Sequence, residues 1–230
     1  MKNVFVFYSS SSSLGTVYCL ILSVLVISYI STFLQNDEPV YGLKVIQTRL
    51  TQDQNNFHHI IGLAQNDMNM TIDNIFVHAN ITDSNGMILG NYSNQVAVHP
   101  LSPLEETPFD IVVYDKNHND LIKNYTVRFT YELRGTPEKD LEFHSTNSKL
   151  DATGFYYISG RITNNMNTTS TSTTVISALY DKNNELIGIW KAQSEPYNIP
   201  PLSTASFTIP VTDRTQAPNI YNYTLYTNNS

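Results

Sequence analysis

A single cysteine, Cys19, stands in the whole of the 230 residues. No intrachain disulfide can form in any compartment, so packing has to hold the fold. Charge is scarce as well: Asp, Glu, Lys and Arg make up 14% of the chain, the net charge is -7, and Lys and Arg never gather into a run. A chain that cannot displace counterions from a phosphate backbone is not expected to bind nucleic acid. Signatures of catalysis are missing too. The many Ser and Thr include no Gly-x-Ser-x-Gly elbow, and pairs such as Glu105-Glu106 sit in a Pro-flanked loop, where solvated charge is the ordinary reading. The expectation is a protein without enzymatic activity and without a cofactor.

Long apolar runs are absent except in one place. Between Lys2 and Asp37 there is no charged side chain, and residues 14–34, "LGTVYCLILSVLVISYISTFL", form a mostly apolar stretch of bilayer length for a helix. A cleaved secretory signal has a shorter apolar core and a small-residue cleavage site, so a retained signal anchor is the preferred reading. Lipid attachment at Cys19 is disfavoured because bulky Tyr18 precedes it and the apolar run continues beyond it. Lys2 before the segment and Asp37-Glu38 after it orient residues 1–13 to the cytoplasm by the positive-inside tendency. The expected organisation is a cytoplasmic N-terminus at 1–13, a transmembrane anchor at 14–34 and a linker at 35–42. Everything that follows is then extracytoplasmic on a single-pass cell-membrane protein.

What the remaining chain has in plenty is repetition. Residues 43–132 lie over 141–230 without a gap at an offset of 98, and about 25 of the 90 pairs are identical. Among them are Phe57/Phe155, Gly62/Gly160, Asn66/Asn164, Asp83/Asp181, Phe109/Phe207 and Asp115/Asp213. A unit of this length suits a sandwich domain rather than a solenoid repeat. The duplication predicts domains at 43–133 and 141–230, joined by a linker at 134–140 that holds Gly, Pro and four charges.

In the first copy, β-favouring runs occur near 43–50, 57–66, 74–82, 87–92, 109–114 and 124–133, and the second copy repeats them 98 residues on. "ITDSNGMIL" and "LYDKNNELI" read as hairpins closed by an Asp that bonds its own turn, with Gly86 or Asn184 at the left-handed position. Alternation turns Ile75, Val77, Ala79 and Ile81 to one face and Phe76, His78 and Asn80 to the other. The predicted fold class is all-β: two tandem immunoglobulin-like β-sandwiches behind one N-terminal transmembrane helix.

The stretch "SALYDKNNELIG" with the later "PPLSTASFTI" resembles the FxLYD-type domain, an immunoglobulin-like module of archaeal and bacterial envelope proteins. Ser177 stands where that pattern has its Phe, and the first copy keeps only Ile81 and Asp83 of the Leu-Tyr-Asp element. The resemblance implies no catalytic residues.

Seven Asn-x-Ser/Thr sequons follow the apolar segment and none precedes it, at Asn69, Asn80, Asn91, Asn124, Asn167, Asn222 and Asn228. They are glycosylation candidates that suit an exported surface. Of six histidines, His58 and His78, expected across neighbouring strands, are the pair that could meet on a metal. A site normally needs three or four ligands, so no metal is expected. "DKNNE" and "DKNHND" echo calcium loops but lack the Gly and Glu that complete them, which leaves turn chemistry as the explanation. Trp190 and the equivalent Tyr92 suit either an aromatic-rich core or an exposed recognition surface.

The sequence thus points to a membrane-anchored binding or structural protein that acts in adhesion or envelope assembly. Its membrane contact is the N-terminal helix, and its expected partner is a protein or glycan at the cell surface. An accessory subunit of a membrane complex and a metal- or small-ligand-binding ectodomain remain the alternatives.

Overall fold

The computed structural model describes residues 42–114, 120–135 and 139–229, and the expected transmembrane segment at 14–34 lies outside them. Among the described residues no helix is long and apolar enough to cross a membrane. The first copy consists of β1 (Leu43–Gln52), β2 (His58–Asn66), β3 (Thr71–Thr82), β4 (Ile88–Gln95), β5 (Glu106–Val113) and β6 (Asn124–Arg134). The second consists of β7 (Leu141–Leu150), β8 (Tyr156–Asn164), β9 (Thr174–Tyr180), β10 (Leu186–Gln193), β11 (Thr204–Val211) and β12 (Asn222–Asn228). Each copy splits into two antiparallel three-stranded sheets, ordered β1-β2-β5 and β4-β3-β6 in the first, β7-β8-β11 and β10-β9-β12 in the second. All strands pair within their own copy among the described residues.

Facing sheets bury alternating side chains between them, which makes each copy a β-sandwich. Ile75, Val77, Ala79 and Ile81 of β3 meet Ile60 of β2 and Phe109 and Ile111 of β5 in the first core. Val175 and Leu179 of β9 meet Ile158 and Ile162 of β8 and Phe207 of β11 in the second. Trp190 and Tyr92 belong to these cores, half-buried against them, rather than to an exposed aromatic surface.

The identical pairs have physical reasons. Gly62 is opposite Phe109 in register, and Gly160 is opposite Phe207. In each case the ring lies over the glycine, so that an added Cβ would come within 2.2 Å of Phe109 and 2.8 Å of Phe207. Asn66 and Asn164, both fully buried, donate from Nδ2 to loop carbonyls of Met70 and Leu101, and of Thr168 and Ile199, at 2.8–3.0 Å. The carboxamide thereby satisfies carbonyls that the sandwich removes from water.

The repeat does not announce that the two sandwiches pack on one another. Ile61 and Leu63, on the side of β2 turned away from its own core, join Ala178 and Tyr180 of β9 and Leu186 of β10 in a third apolar cluster. Ile189 and Tyr226 line it, and Ile176 is buried against the first core. The β1-β2-β5 sheet is therefore covered on both faces, as is the β10-β9-β12 sheet. The order of layers is β4-β3-β6, β1-β2-β5, β10-β9-β12, β7-β8-β11.

Candidate functional site at the junction of the two sandwiches

The hairpin turns come first, because they carry the most conspicuous repeated polar residues. Oδ1 of Asp83 accepts from the backbone N–H of Asn85 and Met87, each at 2.8 Å, and Oδ1 of Asp181 accepts from Asn183 at 2.8 Å and Glu185 at 3.0 Å. Asp53 and Asp151 repeat the pattern in the β1–β2 and β7–β8 turns. Hydrogen bonds from the Glu185 and Asn183 amides hold the Asp181 carboxyl below its ordinary range. These oxygens are occupied by their own turns, with Asn184 and Gly86 at positive φ as the hairpins require.

The two candidate metal ligands are not brought together. His58 lies on the side of β2 that Ile60 lines, facing the core, and its Nδ1 is buried without a partner among the described residues. His78 lies on the outer face of β3 in the opposite sheet, where Nε2 is 2.9 Å from Thr130 Oγ1. Consecutive strands β2 and β3 belong to different sheets, so sequence adjacency does not make them neighbours. No group of three or more His, Cys, Asp or Glu side chains is placed to hold a metal among the described residues.

Titratable groups concentrate instead along the junction. His59, on the outward side of β2, has Nδ1 at 2.9 and 3.1 Å from the two carboxylate oxygens of Asp110 on β5, and Nε2 at 3.9 Å from Asp53. The hydrogen bond to Asp110 outweighs burial and raises the imidazole pKa above its usual 6.5, with Asp53 and Asp213 adding to the pull. Asp213 belongs to the other sandwich and is buried. Its Oδ2 accepts from the Gln54 amide at 3.0 Å, while Oδ1 accepts from the Thr215 amide and hydroxyl at 2.7 and 2.6 Å. Its equivalent, Asp115, lies outside the described residues. A cleft of about 260 Å³ opens here between His59, Asp53 and Asp110 on one side and Trp190, Asp213 and Gln216 on the other.

Polar contacts continue along the same seam. Arg49 pairs with Glu185 at 2.9 Å, the His99 amide donates to Asn228 Oδ1 at 3.0 Å, and the Tyr226 hydroxyl donates to Glu106 at 3.3 Å. Burial pushes the Tyr226 phenol well above its ordinary pKa, so it stays a neutral donor. At the C-terminal end of the linker, the Lys139 ammonium donates to the Pro100 carbonyl and stands 3.5 Å from Glu105, and its burial lowers its pKa. What this arrangement can do is fix two domains in one orientation, with a His at the seam whose charge that contact senses.

Five of the seven sequon asparagines, Asn69, Asn91, Asn124, Asn167 and Asn222, are exposed, while Asn80 and Asn228 are half-buried. Sequence reasoning missed His59, Asp110 and Asp213 as a group, since they come from three separate segments. The alignment carried one signal: His59 and Asp110 have Tyr157 and Thr208 in the other copy, so their pairing is private to the first.

No family model matches the chain, and no curated protein matches it. Among solved structures it is similar to a crystal structure of red sea bream transglutaminase at 7% sequence identity and a TM-score of 0.25, over 81% of this chain and 30% of that one. The chain spans less than a third of the matched protein's length, and likeness at that level carries no argument about activity.

Proposed function

We propose that this chain is a membrane-anchored, extracytoplasmic protein that presents two immunoglobulin-like domains as one unit for interaction at the cell surface, in adhesion or envelope assembly. One observation carries the reading: a charge-free apolar segment of bilayer length precedes two sandwiches whose free outer faces are polar. The FxLYD-type resemblance supports the same reading, with "LYD" at the end of β9 leading into the capped hairpin. Ser177, at the position of the missing Phe, is directly opposite Trp190 in register and is fully buried, so the indole supplies the bulk on that side of the core. The partner in this reading is a protein or glycan outside the membrane, met by the outer sheet faces and loops.

Topology is the test. The full-length protein carries Cys19→Ser and a single new cysteine at exposed Ser84, and intact cells are treated with a membrane-impermeant maleimide. Labelling without permeabilisation is the expected result. Labelling only after lysis would refute the extracytoplasmic placement.

A further inference from the structure

The outer face of the β4-β3-β6 sheet brings three sequons together. Asn80 on the central strand is directly opposite Asn91 on β4, and Thr82, two residues further along β3, is directly opposite Asn124 on β6. Residues opposite one another in an antiparallel pair share a face, and so do residues two apart on a strand. Asn80, Asn91 and Asn124, together with their hydroxyl partners Thr82, Ser93 and Thr126, therefore all project from one surface.

The duplication supplies a control for this placement. In the second copy the equivalent sheet face is the one buried at the junction, and there Ala178 and Ile189 replace Asn80 and Asn91. Asn222, the equivalent of Asn124, survives at the exposed start of β12. Of these three equivalent places, the two that the junction covers have lost the sequon and the exposed one keeps it.

We propose that this face is an N-glycan-bearing surface, modified at Asn91 and Asn124 and not at Asn80. The proposal rests on the extracytoplasmic reading above. Cβ atoms of directly opposed residues are about 5 Å apart, which leaves no room for branched sugars on both Asn80 and Asn91. Asn91 is exposed on an edge strand, whereas Asn80 is half-buried on the central one, so Asn91 takes the sugar. Asn124 is exposed on the opposite edge, clear of both. The co-reactant is a lipid phosphate-linked oligosaccharide. The carboxamide nitrogen attacks its anomeric carbon and a C–N bond forms as the C–O bond to phosphate breaks. The lipid phosphate leaves with the electron pair, and the amide proton passes to a base of the transferring enzyme. Sugars on both edges cover this outermost layer.

Glycopeptide mass mapping of full-length protein from its source membranes tests the proposal. Sugar on Asn91 and Asn124 with Asn80 bare is expected, and Asn91→Gln should remove one glycan's mass without altering the melting curve. Bare Asn91 and Asn124 alongside a modified Asn69, Asn167 or Asn222 would overturn this surface while leaving the extracytoplasmic reading intact. Sugar on Asn80 and Asn91 of the same molecule would overturn the steric assignment. Sugar nowhere would end the proposal, and maleimide labelling would still judge the membrane topology independently.

Discussion

His59 is the residue at which the fold most directly senses its surroundings. The carboxylates facing it are Asp53 from its own hairpin, Asp110 from β5 and Asp213 from the other sandwich; Lys191 lines the adjoining groove with Asp110, and the Arg49–Glu185 pair lies further along. Its folded pKa is raised above the unfolded value near 6.5. The stability it contributes is therefore fully present below about pH 6.5 and is lost as pH rises through the folded pKa. Melting temperature should fall over that upward window in the parent protein, and His59→Gln should flatten the decline. An unchanged slope in the variant would remove His59 as its source. None of this was legible in the sequence, because a His-Asp pair on strands 51 residues apart has no local signature. The Asp caps were legible, since each bonds amides two and four residues on, inside a turn that its own neighbours specify.

At the level of strands and sheets, legibility followed the period. The alternation in β3 named its buried face correctly, and Ile75, Val77, Ala79 and Ile81 are all buried. The β2 pattern hid its meaning. Ile60, Ile61 and Leu63 form a nearly continuous apolar run, which marks a strand covered on both faces. The comparison with Ser159 and Arg161 at the equivalent positions would have shown which side of which copy is covered. The Gly–Phe pairs belong to this scale as well. An Ala methyl at position 62 would meet the Phe109 ring and, at 2.7 Å, the rigid Gln47 carbonyl, whereas at position 160 it meets Phe207 and, at 3.1 Å, only the Thr146 methyl. Gly62→Ala should cost about 1–3 kcal/mol by overpacking, and Gly160→Ala distinctly less. Chemical denaturation of the two variants checks the order, and equal losses would mean that the Gln47 carbonyl yields as readily as a side chain.

For the whole molecule, the duplication has produced a pair rather than a chain of equal units. Ile61 and Leu63 of the first copy have become Ser159 and Arg161 in the second, while His78, Asn80 and Thr82 of the first stand where the second has Ile176, Ala178 and Tyr180. Each copy is apolar on the outer face that meets its neighbour and polar on the one that does not. Burying Ile61, Leu63 and Leu186 contributes about 1.5–3 kcal/mol each, and the Gln54 amide on Asp213 adds a directional contact, which together favour one orientation. The central claim is that the two sandwiches form one fixed body, and a spin-label distance tests it most directly. With Cys19→Ser removing the only native thiol, labels at exposed Arg128 on β6 and Lys149 on β7 report the span across the layers. A single narrow distance distribution is predicted, broadened by Leu63→Arg, which gives the first copy the residue that its counterpart already has. A broad distribution in the parent protein, unchanged by Leu63→Arg, would contradict the account.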